Sequence, residues 1–215
     1  MADSAKAAAI LALALEYPYA TPDRSYLYRD GEARELPAEA PDLSDRTPLI
    51  AYGANAAPEA LGRKLTQLPG VEMPVMQFGL EGFDVAYSAH VSPYGAVPAT
   101  LAESPGAVAP VFLLHPTAEQ LALLTATEPN YDLVEIGGAA VYRSKHGCLE
   151  LDGSPVALAA VRSAGRTLTE LDEPAVLERV RAHLRPELSL REFVLDCVER
   201  GGIKPLRIGA GPAGR

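Results

Sequence analysis

The stretch Pro48-Leu49-Ile50-Ala51-Tyr52-Gly53-Ala54-Asn55 decides how this chain is read. Residues 49–52 are an apolar run fit for a strand. Gly53 stops the run, and Pro58 suits the first turn of a helix. The expected order is therefore strand, tight loop, helix start. Such a loop turns backbone N–H groups toward one point, and helix starts favour anions. Residues 53–55 are thus a candidate cradle for a carboxylate that needs no charged side chain. The plain alternative is a strand-to-helix turn in which glycine serves only its backbone freedom.

Downstream, residues 58–68 are expected to be helical, with Leu61, Leu65 and Leu68 on one face. Residues 76–90 hold one or two strands, broken near Gly79 and Gly82. Residues 99–101 are short and extended, Ser104-Pro105-Gly106 is a turn, and 111–114 is a buried strand. Thr117 and Gln120 have the spacing of a capping box. It opens a helix whose apolar face rests on Leu121 and Leu124, with Ala118 beside them. That helix ends near Thr127-Glu128-Pro129, because proline pushes the preceding residue out of helical geometry. Strands are expected over 133–142 and 156–161, with turns at Gly147 and Asp152-Gly153. Past residue 166, Asp172 caps a helix with Leu177, Val180 and Leu184 inward. Ser189 and Glu192 form a second capping box before Phe193, Val194, Cys197 and Val198, and Gly201-Gly202 ends that helix. The tail after Pro205 reads as disordered.

The N-terminal 16 residues also read as a helix, capped by Asp3 or Ser4. Its apolar stretch 7–15 follows Lys6 in the manner of a signal peptide, but Asp3 and Glu16 argue for a docked helix instead. Residues 17–47, rich in Pro, Asp, Glu and Tyr, read as irregular surface chain pinned by Tyr26 and Tyr28.

The 215 residues carry a formal net charge of -9 and are 48% hydrophobic. That suits one sizeable globular domain, or one domain with extensions. No basic block stands out, so neither nucleic acid nor an anionic membrane surface is an expected partner. No run is long enough to span a bilayer, and cytoplasmic is the default location. Cys148 and Cys197 read as two separate free thiols, a single disulfide being the alternative. The scattered histidines His90, His115, His146 and His183 suggest no zinc site.

Taken in order, these pieces form a constellation: the Tyr52-Gly53-Ala54-Asn55 loop, the Pro105-Gly106 turn, the strand at 111–114, and a leucine-rich helix ending near Glu128, with Tyr131 three residues on. The order resembles the gamma-glutamylcyclotransferase-like superfamily over roughly residues 48–162. That family typically carries Tyr-Gly-Ser-Asn after its first strand and a Leu-Asp-x-x-Glu motif whose glutamate is the acid/base residue. The resemblance places Glu128 as the catalytic residue and Tyr52, Gly53, Ala54, Asn55 and Tyr131 around the substrate. The chain departs from the pattern at Ala54, where serine is usual, and at Thr125, where aspartate is usual. It departs again at Pro110 and Pro129, where glycine is frequent.

The resemblance implies an α+β fold, a small mixed β-barrel over 48–162 with packed helices. It does not reach the flanking segments, which the pattern along the chain reads as an N-terminal helix and irregular extension over 1–47 and a C-terminal helical extension with a flexible tail over 163–215. It implies release of 5-oxoproline from a small gamma-glutamyl amine or amino acid, with no metal and no organic cofactor. This chemistry, an intramolecular acyl transfer grouped with transferases and lyases, needs a folded substrate conformer, a base that is also the acid, and oxyanion donors. An exposed glutamate titrates near about 4.3, so a base of this type works best when buried. The alternative for Glu128 is a solvated residue at a helix end; for Asn55, a helix cap; for Tyr131, a half-buried strand or loop residue. The alternative for the whole chain is a non-catalytic small-molecule binding or protein-interaction domain on the same fold. Oligomeric state stays open. Ser88 and His90 share a strand face with Asp84 nearby, but no nucleophile elbow supports a Ser-His-Asp hydrolase. Cys148 beside His146 reads as a packed thiol rather than a nucleophile.

Overall fold

Residues 49–51 form a strand buried on both faces, the physical reason its sequence is an unbroken apolar run instead of an alternating one. The computed structural model describes residues 2–39 and 41–208. In chain order the elements are α1 (Ala2–Leu15), β1 (Tyr26–Arg29), β2 (Glu32–Arg34), β3 (Leu49–Ala51), a 3-10 turn (Ala54–Ala56), α2 (Pro58–Lys64), β4 (Glu72–Tyr87) and β5 (Ala99–Leu114). There follow α3 (Ala118–Ala126), β6 (Tyr131–Ile136), β7 (Ala139–Ser144), β8 (Glu150–Leu151), β9 (Ser154–Pro155), β10 (Ala157–Leu158), β11 (Glu170–Leu171), α4 (Glu173–Leu184) and α5 (Leu190–Glu199).

The class is α+β. Among the described residues one mixed sheet runs β11-β10-β4-β5-β3-β7-β6, with the β1–β2 hairpin joined to β4. β3 is parallel to β7 and antiparallel to β5. The expected closed barrel is not what forms. β11 and β6 stand at opposite ends of the strand order and do not pair, so the sheet is open. Around β3 and the neighbouring parts of β5 and β7 both faces are covered instead. Side chains alternate across a strand, and here the two sets enter two cores. Ile50, Val111 and Val141 join Val176, Phe193 and Val194 of α4 and α5 on one side. Leu49, Ala51, Phe112, Leu114 and Tyr142 join Leu61 of α2 and Leu124 of α3 on the other.

Several local expectations change. Residues 76–90 and 99–114 do not break into short pieces. β4 and β5 are 16-residue strands of one long hairpin, and the expected interruptions survive as a register shift at residues 81–83, opposite Ser104-Pro105-Gly106. Residues 17–47 are not wholly irregular, since β1 and β2 lie inside them. Asp30 and Gly31 have φ of 48° and 89°, the left-handed pair that closes a tight hairpin. Tyr26 and Tyr28 are buried as expected, and the Tyr26 hydroxyl donates to the Ala56 carbonyl at 2.8 Å. Residues 133–142 span two strands, β6 and β7, turned at Gly137 and Gly138. Strand β10 covers only part of 156–161. Ser4, expected as a cap, lies inside α1, which begins at Ala2, and the Asp3 side chain lies outside what is described. α2 ends at Lys64, short of Leu68. Of the tail, Leu206 is buried and Leu206 N–H donates to the Ala89 carbonyl, so order extends past Pro205. Residues 209–215 lie outside the described residues.

The helix signals at 117, 172 and 189 are realised: both capping boxes form, and Asp172 accepts from the Ala175 N–H. The terminal segments feed the central core. Ala14 of α1 and Val194 and Val198 of α5 meet at Gly95, where a Cβ would lie 2.9 Å from Val194 and 3.3 Å from Ala14. Arg166 grips buried Asp84 through two bonds of 2.8 Å, with Ser163 donating a third at 2.6 Å. Burial alone would raise the Asp84 carboxyl. Hydrogen bonds from Arg166 and Ser163 outweigh it and hold the group below its ordinary range. No helix among the described residues is long and apolar enough to cross a membrane.

Candidate functional site

A cavity of about 280 Å³ opens where β3 ends, and the six site residues expected from sequence all line it: Tyr52, Gly53, Ala54, Asn55, Glu128 and Tyr131. They arrive from two places. β3 delivers the 52–55 loop, and the end of α3 delivers Glu128 just before β6 begins at Tyr131. Thr127 seals that helix end by donating from its hydroxyl to the Leu124 carbonyl at 2.7 Å. The Glu128 N–H donates to the Thr125 carbonyl and the Tyr131 N–H to the Glu128 carbonyl, at 3.0 and 3.1 Å. The carboxylate is thereby held on a short, fully bonded turn.

Glu128 is not a solvated helix-end residue. Its side chain is 13% exposed. Its Oε1 accepts from Asn55 Nδ2 at 3.0 Å and from Lys64 Nζ at 2.5 Å. Lys64 Nζ also donates to Asn55 Oδ1 at 2.7 Å. Asn55, Lys64 and Glu128 therefore form a closed three-membered ring of charge-assisted bonds. Asn55 is accordingly not a helix cap: the cap positions are Gly53 and Ala57, and neither makes a side-chain cap bond.

At the loop, Gly53 O and Ala54 O accept from the N–H groups of Ala56 and Ala57. The first N–H groups of such a turn have no partner within it, and residues 53–55 border the cavity. Glycine at 53 answers a close approach. A Cβ there would stand 2.5 Å from the Tyr17 hydroxyl and 3.2 Å from Ala99 Cβ. The missing serine hydroxyl at Ala54 leaves the backbone donors unchanged.

Six tyrosines line the wall, and the hydroxyls of Tyr17, Tyr19, Tyr52, Tyr131 and Tyr142 are already engaged. Tyr131 donates to the Ala99 carbonyl at 2.8 Å, while the Ala99 N–H donates to the Tyr17 hydroxyl at 2.8 Å. Tyr52 donates to the Tyr142 carbonyl, and Tyr19 to the Leu13 carbonyl at 3.0 Å. Burial pushes the Tyr17, Tyr52, Tyr94 and Tyr131 phenols well above their ordinary value, so all stay protonated near neutrality. Thr125, where the resembled motif has aspartate, exchanges a 2.8 Å hydroxyl bond with Tyr142.

Sequence reasoning missed Lys64, Arg63, Tyr17 and Tyr19. Lys64 sits four residues after Ala60, also a cavity residue, so helical spacing puts them on one face. Tyr17 and Tyr19 lie in a stretch with no periodicity to read. The Arg63 guanidinium stacks over the Tyr19 ring at 4.6 Å and pairs with Glu59 at 2.6 Å. His90 also borders the cavity, with Nδ1 2.6 Å from the Ser88 hydroxyl. Burial, then the nearby His146 and Lys204, push its imidazole down to about 3, so it is neutral at physiological pH. Asp84 does not join Ser88 and His90, being bound to Arg166. Cys148 and Cys197 are free thiols, and burial pushes both upward, away from the thiolate. Among the described residues no cluster of three or more His, Cys, Asp and Glu side chains is placed to hold a metal.

Compared with known proteins, the chain matches no family model, no curated protein and no solved structure.

Proposed function

We propose that this chain is a cytoplasmic gamma-glutamylcyclotransferase-like enzyme that releases 5-oxoproline from a small gamma-glutamyl amine or amino acid, with Glu128 as base and then acid. One observation carries the proposal: Glu128 and the 53–55 loop face one small cavity, joined by the Asn55–Glu128 hydrogen bond. A cyclisation needs its proton acceptor and its oxyanion donors on the two sides of one carbonyl.

The steps balance without a cofactor. Glu128 takes a proton from the substrate α-ammonium. The freed amine attacks the side-chain amide carbonyl, closing a five-membered ring. The resulting oxyanion sits against the N–H groups at the head of the 54–56 turn. It collapses as the C–N bond to the leaving amine breaks: protonated Glu128 gives its proton to that amine, then takes the second proton from the ring nitrogen and passes it on, so that a neutral lactam and an ammonium product leave. The aromatic wall excludes water and favours the folded substrate conformer that the attack requires.

A non-catalytic small-molecule binding domain is the second reading, favoured by the engagement of Glu128 with both Lys64 and Asn55. Measuring 5-oxoproline release from a panel of gamma-glutamyl compounds, with wild type beside Glu128→Gln, separates the two. The enzyme reading expects release by wild type and a loss of at least about a hundredfold in a folded mutant. Silence of the folded wild type across the panel leaves the binding domain standing. Release that persists in the mutant moves the chemistry to another group.

A further inference from the structure

The Lys64–Glu128 pair has capacity left over, and that capacity faces the cavity. A lysine ammonium carries three donors, of which two are spent, on Asn55 Oδ1 and Glu128 Oε1. Among the described residues Oε2 of Glu128 has no hydrogen-bond partner, since both bonds to this carboxylate fall on Oε1. Both side chains border the cavity, at 19% and 13% exposure. A neutral ligand entering here must pack against an ion pair that already satisfies itself. A lone anion or cation leaves one buried charge without its partner, which is costly. A zwitterion alone can exchange partners with the pair so that every charge keeps an opposite neighbour.

We infer that Lys64 anchors the α-carboxylate of an α-amino acid headgroup and, by turning toward it, frees Glu128 for the α-ammonium. This rests on the cyclotransferase reading of the same cavity and adds to it a residue and a step. In the empty site Glu128 faces a lysine proton it cannot usefully remove. In the occupied site it faces the ammonium whose proton must leave. Lys64 thus couples headgroup recognition to release of the base. Asn55 keeps the two side chains in register throughout, since its amide reaches each of them at 3.0 Å or less. Lys64 stands at the last turn of α2, and its neighbour Arg63, which also borders the cavity, is already engaged by Glu59 and the Tyr19 ring. The anchoring role therefore falls to Lys64 alone of this pair.

The test crosses two enzymes with two substrates. Wild type and Lys64→Met are assayed for 5-oxoproline release from gamma-glutamylalanine and from its analogue whose glutamyl α-carboxylate is an amide. Wild type is expected to prefer the free carboxylate by about tenfold to a hundredfold in kcat/KM, the worth of one charge-assisted bond. Lys64→Met is expected to raise KM for the carboxylate substrate by a similar factor and to lose the preference. Lys64→Arg, which keeps a cation, is expected to keep it. A preference undiminished in a folded Lys64→Met protein overturns the inference and leaves the cyclotransferase reading intact. A silent wild type overturns that reading, and this inference with it. Should Lys64→Met turn over too slowly to assay, calorimetric binding of glutamate, whose headgroup is a zwitterion, against its α-carboxamide makes the same comparison. Equal carboxylate selectivity in wild type and variant there is likewise refuting.

Discussion

Adding one methyl group at Gly53 probes how the N-terminal segment, the loop and β5 close on each other. A Cβ at 53 would stand 2.5 Å from the Tyr17 hydroxyl and 3.2 Å from Ala99 Cβ. Tyr17 cannot retreat freely: it is 6% exposed, and its hydroxyl accepts from the Ala99 N–H at 2.8 Å. Overpacking of this kind costs about 1–3 kcal/mol. Loss of the Ala99 bond adds about 1 kcal/mol, and the lower entropy of the unfolded alanine chain returns roughly 0.4–1 kcal/mol. Gly53→Ala is therefore expected to destabilise by about 2 kcal/mol, a fall of roughly 4–8 °C in Tm for a chain of this size. Tyr17→Phe alone strands the Ala99 N–H and costs about 1–2 kcal/mol. In the double variant the space vacated by the hydroxyl receives the methyl group, so the two costs do not sum. Urea unfolding of the four proteins is expected to give a coupling of at least about 1 kcal/mol in favour of the double variant. Additivity within about 0.5 kcal/mol, the behaviour of sites that do not touch, would refute the close approach of Tyr17 to the loop.

Further expectations concern buried charge. Glu173 is 2% exposed, with Oε1 accepting from the Val97 N–H at 2.6 Å and Oε2 without a partner among the described residues. Burial pushes its carboxyl well above the ordinary value, so the folded state binds a proton that the unfolded state gives up near about 4.3. Its contribution to stability is full below that pH and is lost as pH rises toward the folded value. Glu173→Gln is expected to flatten this fall, read as the difference in Tm between wild type and variant from pH 4 to 8; parallel curves would refute it. Asp84 has the opposite sign, because its folded carboxyl is held low. Its contribution is present above about 3.9 and fades as pH falls through the folded value. Arg166→Met leaves Asp84 buried and unpaired, and is expected to cost about 3–5 kcal/mol in urea unfolding; a loss under about 1 kcal/mol would show that the pair contributes little.

Local signals were the most legible part of the chain. The boxes at Thr117 and Ser189 and the cap at Asp172 depend on residues within three positions of each other, so spacing alone specifies them. The Asp30-Gly31 pair is an equally local hairpin signal, passed over because Pro and Glu on both sides of the segment read as loop. The closed barrel failed for a different reason. Whether β6 and β11 meet depends on curvature and on what covers the sheet, neither of which is written in any one strand. That Glu128 and Asn55 border one cavity was expected from their motif order, while the Lys64 contact was not. Lys64 is one of two basic residues in the last turn of α2, which reads as an ordinary helix end, and its role comes from Glu128, 64 residues away.

What the cavity selects follows from which of its polar groups remain unspent. The hydroxyls of Tyr17, Tyr19, Tyr52 and Tyr131 are bonded to main chain, and His90 is neutral and tied to Ser88. These groups shape the wall and keep its dielectric low, which strengthens whatever charges remain inside. The charged groups left on it are Lys64 and Glu128, with Arg63 committed to Glu59 and the Tyr19 ring. Part of the wall around them comes from outside residues 48–162: Leu13, Tyr17 and Tyr19 precede that span, and α1, which carries Leu13, is held by α5, which follows it. The terminal segments therefore set the environment in which the ion pair acts. A substitution that loosens α1 from Gly95 admits water beside Glu128 without touching it, weakening both the pair and its exchange with a ligand. Sensitivity of ligand binding to Ala14 or Val194, neither of which borders the cavity, is the physical consequence of building a charged site beside a wall whose N-terminal part is held in place by α5.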